Sequence, residues 1–366
     1  MKGARIVSVA VFAAALAAVA LSVFDAGGPS GATGGRGFRA RVVATDDSDL
    51  TTLGFVRYGT QTMEVELPDA SRRRAANVMR GQMELDSFCR PGDSVLVTAP
   101  SAGSPDDPLV VRSHWRLGPM AWAFGLFALL LVAFGGIVGL NALSSFMICC
   151  VVIWKFVIPL ILSGRDASLV AFLATAAMTF VIMLLVGGWT RKALAAFGGS
   201  MLGVAAGLAL AHVFGALMGV NGATLPFVQA LVYSGAASLD LADVFIAATV
   251  IAASGAMMDL SMDIAAGVCE VARHNPALGF RELAMSGLRI GRATVGTMTT
   301  TLLLAYSGGY LTLLMVFAAQ GTPCADFLNS PIVAAEVAKT LVGSFAIVLV
   351  APFTALVSAL LSSRRR

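Results

Sequence analysis

Charge is what this sequence most lacks. Of its 366 residues only 13% are Asp, Glu, Lys or Arg, while 57% are apolar. An average soluble domain is about 25% charged, so this composition points to lipid as the main solvent. Histidine is scarce, with three residues, and the five cysteines form no CxxC pair and no Cys/His group at zinc spacing. These absences argue against a structural zinc site and a thioredoxin-like redox centre, and no metal or cofactor is expected. No glycine-rich nucleotide loop, zinc-protease helix or nucleophile elbow occurs. The chain is therefore not expected to be an enzyme, and no catalytic residue is assigned. The net charge of +4 predicts no nucleic-acid partner, because the basic residues gather at helix ends, where they orient a chain in a bilayer.

What is present divides the chain. Lys2 and Arg5 precede an uncharged run from Ile6 to Phe24, so 1–24 reads as a signal anchor or signal peptide. Residues 25–37 are glycine-rich and read as a flexible linker. Residues 38–116 carry short alternating runs at Phe38–Ala44, Leu53–Tyr58, Thr62–Leu67, Gln82–Leu85, Ser94–Thr98 and Leu109–Val111, separated by Asp, Gly and Pro clusters. That rhythm predicts a small all-β domain, with an OB-like barrel as first choice. Arg72-Arg73-Arg74 reads as a solvated helix or loop face. From residue 117 to 366 the chain is nearly all apolar, with spans predicted at 118–140, 142–163, 168–189, 194–219, 243–268, 295–319 and 332–361. Each approaches or exceeds the roughly 20 residues that cross a bilayer. With the anchor, the fold class is an α-helical polytopic membrane protein of about eight transmembrane helices.

The basic residues agree on one orientation. Lys2 and Arg5, Arg191 and Lys192, then Arg273, Arg281, Arg289 and Arg292, and finally Arg364 to Arg366 all fall inside. The loops at 220–242 and 320–331 carry no Lys or Arg and fall outside, and the loop near Asn141 is neutral. Arg165 alone runs against the rule. This predicts a multi-pass protein of the bacterial cytoplasmic membrane, with both termini inside and the β-rich domain outside. Cys89 and Cys324 then share the outer side, either as a disulfide or as two free thiols. Cys149 and Cys150 read as packing residues.

Ionisable residues within a span are expensive and need a reason. Asp259 and Asp263 are four apart in the sixth span and share one helical face. Two such carboxylates can share a proton or hold a cation, or can belong to a structural ion-pair network. Lys155 in the third span is the natural counter-charge, and Pro159 one turn on predicts a kink. The seventh span contains Arg289 and Arg292, which read either as positive-inside anchors or as partners for Asp263 or Glu270. It continues through Thr297 and Thr300, whose hydroxyls can bond across helices or line a polar path. Gly199, Gly203 and Gly207 recur at spacing four and predict a helix-packing face. His212 reads as a structural histidine before a proton relay, Glu336 and Lys339 as an interfacial pair, and Met257, Met258 and Met262 as filler.

Several tracts resemble the YibE/F-like membrane proteins: Gly255-Ala256-Met257-Met258-Asp259, Asn275-Pro276, Phe280 to Leu283, Ser286 to Tyr306, and Val186 to Lys192. The domain at 38–116 is similar too, through Arg41-Val42-Val43 and Pro91 to Val97. The resemblance covers about 38–320 and implies a multi-spanning bacterial membrane protein of permease-like function. It carries over no catalytic residue. This chain has Ala293 where relatives often have an acid, Thr300 where they often have Asn, and Asp263 where a hydroxyl is commoner. Asp263 is thus a candidate to compensate for the acid absent at 293. The leading expectation is a transporter of a small solute or ion, with proton or cation coupling through Asp259. The alternative is a non-transporting scaffold or assembly factor whose outer domain binds a protein partner.

Overall fold

In residues 38–114 the alternation of apolar and polar residues builds a sheet that closes on itself. The computed structural model describes residues 11–18, 37–100, 107–235 and 239–363, and these fall into two compact units that divide between Leu130 and Leu131. The strands are β1 (Phe38–Asp46), β2 (Leu50–Leu53), β3 (Val56–Glu66), β4 (Arg72–Arg80), β5 (Ser94–Thr98) and β6 (Leu109–His114). Their order is β1-β5-β6-β4-β3, and β3 returns to pair with β1, which closes a five-stranded barrel. The β4–β6 pair is parallel and the others are antiparallel. Ala40, Val42, Met63, Val65, Ala75, Val95, Val97, Leu109 and Val111 fill the interior with Cys89. Three polar residues of the barrel are buried, Gln61, Asn77 and Thr98. Gln61 donates to Asp47 Oδ1 and to the Cys89 carbonyl, both at 2.8 Å, and Asn77 donates to the Ser87 carbonyl at 2.7 Å.

Three local expectations are corrected here. Arg72 to Arg74 open strand β4, in which Ala75, Asn77 and Met79 point inward; Arg72 and Arg74 lie toward solvent, while Arg73 is half-buried and donates to the Asp107 carbonyl at 3.2 Å. Gln82–Leu85 is a turn, held by the Asp86 carboxylate, which accepts from the amides of Arg80 and Gln82 at 2.9 and 2.8 Å. This local side-chain bonding competes with strand pairing. Leu53–Tyr58 is a hairpin: Leu53 pairs with Val56 across a two-residue turn whose first residue, Gly54, has φ 62°. A positive φ there suits the twist of antiparallel strands. Cys89 and Cys324 are both free thiols, and Cys89 is fully buried.

The rest is helical. The elements are α1 (11–18), α2 (Leu117–Val152), a π-helical turn (Ile153–Val157), α3 (Ile158–Leu162), α4 (Ala167–Gly187), α5 (Arg191–Leu217) and α6 (Val228–Tyr233), followed by α7 (Leu241–His274), α8 (Phe280–Gly309), α9 (Leu311–Ala319), α10 (Cys324–Asn329) and α11 (Pro331–Ser363). Most of the expected anchor at 1–24 and linker at 25–37 lies outside the described residues, as do Arg364 to Arg366. Among the described residues five helical stretches are long and apolar enough to cross a membrane: Leu117–Leu162, Ala167–Gly187, Arg191–Leu217, Leu241–His274 and Pro331–Ser363. The pair α8–α9, bent by 63°, makes a sixth if it counts as one span. The chain is a membrane protein.

Leu117–Leu162 is one helical stretch where two spans are expected. At 1.5 Å per residue it would measure about 69 Å, over twice a hydrocarbon core. Its helical geometry breaks at Gly136, with φ 54° and ψ −124°, and a Cβ placed on Gly139 would run into the Leu131 carbonyl. The chain therefore folds back sharply at Gly136 rather than at Asn141. Asn141 lies within the helix and donates to the Leu185 carbonyl at 2.8 Å. Downstream, Pro159 has no N–H for the Lys155 carbonyl and its ring crowds that group, so the ladder relaxes into the π turn that contains Lys155.

Helices α5, α7, α8 and α11 share the main core, built from Val204, Val250, Met257, Leu260, Ile264, Ile347 and Val350 with their neighbours. Helix α8 begins at Phe280, well before the expected 295, and the expected span to 319 is interrupted at Tyr310, where the chain bends into α9.

Candidate functional site

Helix α7 is capped by Asp240, which accepts from the amides of Ala242 and Asp243 at 2.9 and 3.2 Å. Asp259 lies about 28 Å along the axis from that cap. One face of α7 packs inward through Val250, Ala253, Met257, Leu260 and Ile264, while Ala252, Gly255, Asp259 and Asp263 are exposed on the other. Spacings of three and four put these four residues on a single stripe. The charged group acting on Asp259 is its neighbour Asp263.

Helix α8 has the same two-sided character. Leu283, Ala284, Gly287, Gly291 and Leu302 are buried. Arg289, Arg292, Ala293, Gly296, Thr297 and Thr300 are exposed. The Thr297 hydroxyl donates to the Thr294 carbonyl at 2.8 Å and that of Thr300 to the Gly296 carbonyl at 3.0 Å. Both hydroxyls thus bond within their own helix rather than across to another. Chemically the exposed stripe of α7 offers two carboxylates, and that of α8 two guanidiniums with a row of small residues.

The other singled-out residues lie elsewhere. Lys155 sits in the π turn, which packs on α4, and among the described residues no ion pair joins it to Asp259. Glu270 pairs within α7, with Arg273 at 2.6 Å and His274 at 3.3 Å, rather than with Arg289. Gly199, Gly203 and Gly207 line the contact of α5 with α11. A Cβ on Gly207 would lie 2.7 Å from that of Ala346, and Cβ atoms on Gly199 and Gly203 would collide with Thr354 and Val350.

Two clusters were not read from the sequence as sites. Lys339 Nζ is 2.6 Å from Glu336 Oε1, and their side chains are only 13% and 15% exposed. Lys339 also donates to the Tyr310 hydroxyl at 3.3 Å and lies over the Phe245 and Tyr310 rings. The pair therefore bridges α11 to the α8–α9 bend and to α7. The spacing of Glu336 and Lys339 was the available signal, but the aromatic groups come from distant elements. The second cluster is at the N-terminus of α4. Asp243 accepts from the amides of Ala167 at 2.6 Å and Ser168 at 3.1 Å, and also from the Ser168 hydroxyl. His212 Nε2 lies 3.4 Å from that hydroxyl and 3.9 Å from Asp243 Oδ1, and its Nδ1 is 2.9 Å from the Leu208 carbonyl. A cleft of about 610 Å³ opens beside them, lined also by Arg165, Asp166 and Asp240. With its carboxylate committed to capping α4, Asp243 has a structural role that its own helix does not reveal. Among the described residues no group of three or more His, Cys, Asp or Glu side chains could hold a metal.

No curated protein and no solved structure matches the chain. The family model described as YibE/F-like protein matches residues 123–364. It takes in every long helix from the body of α2 to α11, and the likeness drawn for 38–116 lies outside it. With the match covering well over half its length, the chain belongs to the YibE/F-like family.

Proposed function

We propose that this protein is a permease-like transporter of a small solute or ion in the bacterial cytoplasmic membrane, coupled to protons or cations through Asp259. The observation that carries this reading is the open stripe of Asp259 and Asp263 on a helix otherwise apolar enough to cross a bilayer. A carboxylate facing lipid costs about 2.5–3.5 kcal/mol, so such a stripe persists where it meets water, an ion or protein. Arg289, Arg292, Thr297 and Thr300 would extend the same polar path along α8. The topology that goes with it has eight crossings: Leu117–Leu162 as two passes about Gly136, the bent pair as one, three single spans before and one after that pair being α4, α5, α7 and α11, and the N-terminal segment as the last. Both termini lie inside and the barrel, OB-like in its strand order, lies outside.

The test is flux in proteoliposomes under an imposed proton or sodium gradient. Internal pH or sodium is followed by a trapped dye as small solutes are added. Gradient-dependent movement should appear in the native protein, fall at least about tenfold in Asp259→Asn, a loss of about 1.4 kcal/mol or more, and survive in part in Asp259→Glu. Flux that ignores both the gradient and the Asn substitution would end the coupling hypothesis.

A further inference from the structure

One end of the barrel carries apolar side chains that its fold does not use. Leu53, Phe55, Tyr58, Met83 and Leu85 are exposed there, Phe55 at 96%. Phe55 is the second residue of the two-residue turn between β2 and β3, a position that favours small or polar residues. The turn stands clear, since nothing lies within 4 Å of a Cβ built on Gly54. Met83 and Leu85 belong to the turn that follows β4. Tyr58 lies against the start of that turn, where a Cβ on Gly81 would run into its ring. Among the described residues of the strands and their turns, the one other exposed large apolar side chain is Val78, on the outer face of β4. The turn between β3 and β4, from Pro68 to Ser71, has none. Apolar groups gathered at one end mark a surface that meets something other than water.

Strand pairing shows which end this is. Strands β4 and β6 run parallel, with Ala75 opposite Leu109 and Ala76 opposite Val110. That register sets Arg80 level with His114, the last residue of β6. Tyr58 pairs with Arg80, so both apolar turns project beyond the level at which β6 ends. Only Trp115 and Arg116 then separate β6 from α2. Helix α2 packs along no strand of the barrel, and it carries no charged, amide or hydroxyl side chain before Asn141. Lipid therefore begins at its first turns. Phe55 is three residues beyond Tyr58 and Leu117 three beyond His114, each at most about 10 Å. The rim and the start of α2 thus stand at the same end, within reach of one surface. The turn at Pro68–Ser71 lies at the other end of β3 and β4, about 27 Å away along the strands.

We propose that this rim seats the barrel on the lipid surface, with Phe55, Met83 and Leu85 entering the headgroup region of the leaflet that α2 crosses. The occupant follows from continuity: the first turns of α2 already meet lipid, and two residues tie the rim to them. Arg80 and Arg116 are exposed at the same end, where guanidiniums meet lipid phosphates while their stems lie along apolar groups. Trp115, at the neck, is of the residue type that gathers at membrane interfaces. Held at rim and neck together, the barrel keeps a fixed aspect instead of swinging on its tether. The inference rests on α2 crossing a membrane, not on transport. Its readout is position against lipid, so either can fail without the other.

The experiment uses the full chain in liposomes of phosphatidylethanolamine and phosphatidylglycerol. Cys149, Cys150, Cys269 and Cys324 are replaced by alanine, and Cys89 stays because it is fully buried. A nitroxide is attached at Phe55→Cys or, as the reference, at Ser71→Cys in the opposite turn. Its collisions with oxygen, which concentrates in lipid, are compared with its collisions with a water-soluble nickel chelate. The oxygen-to-nickel ratio at Phe55 should exceed that at Ser71 at least about threefold. Leu85→Cys should behave like Phe55→Cys, and adding Phe55→Glu with Met83→Glu should lower the Leu85 ratio to the Ser71 value. The proposal is overturned if the Phe55 and Ser71 ratios agree, because the rim is then in water. It is equally overturned if both reagents are excluded at Phe55, because a second copy of the chain then covers the rim. A Leu85 ratio unmoved by the two glutamates also overturns it.

Discussion

Cys89 is enclosed in the barrel, with its amide donating to Gln61 Oε1 at 3.1 Å and its carbonyl accepting from Gln61 Nε2. Burial, with the Asp93 charge adding to it, pushes the thiol from its usual 9.0 up to about 11. The folded barrel therefore holds the proton longer than the unfolded chain does. Its stability is unaffected by this group below pH 9, then falls as pH rises toward 11, by an amount on the order of 2 kcal/mol. With the other four cysteines replaced, alkylation of Cys89 should follow barrel opening and accelerate steeply over that window. Cys89→Ala should remove this pH dependence from the unfolding curve. Lys339 gives a second expectation at the same scale. Removing it leaves Glu336 enclosed, with its Oε2 already lacking a partner. Lys339→Met should cost about 3 kcal/mol, and Glu336→Gln in the same chain should recover most of it, read as thermal stability in detergent. The sequence disclosed the Glu336–Lys339 pair only in part: a spacing of three is visible, but whether water reaches the pair is decided by Phe245 and Tyr310 from elsewhere in the chain.

Among elements, the contact of α5 with α11 was the most legible. Glycines at 199, 203 and 207 fall on one stripe because four residues nearly complete a turn, and a stripe without side chains has one obvious use in a bundle. Gly203→Ala should destabilise by about 1–3 kcal/mol as the new methyl meets Val350. Gly203→Leu should prevent assembly, visible as loss of the monodisperse peak in size-exclusion chromatography. Other element boundaries were hidden for physical reasons. Gly136 lies in an apolar run that satisfies the span criterion on both sides, and a glycine gives no local sign of whether its freedom is used. Strand β4 was masked by Arg72 to Arg74, since three consecutive charges break the alternation of apolar and polar residues that marks a strand. The π turn was half visible, through Pro159. The polar face of α8 was visible as composition, but its exposure was not, because that depends on which helices leave it uncovered.

For the whole molecule, the division into barrel and bundle carries the last prediction. The barrel has its own core around Val42, Val65, Val95 and Leu109, and its strands close without help from the helices. The bundle likewise has its own, centred on Leu260, Ile264, Ile347 and Val350. Neither core borrows residues from the other, so deleting 38–115 should leave a bundle that still folds and reaches the membrane. The two functional readings then separate. If the bundle is a self-contained permease, the deletion variant keeps gradient-dependent flux at a reduced rate, and Asp259→Asn abolishes it in both forms. If the barrel's binding of a protein partner is the function, the deletion variant loses all activity while its bundle retains its thermal stability. Measuring flux and melting temperature on the same preparation distinguishes these outcomes, because a bundle that merely misfolds would lose both together.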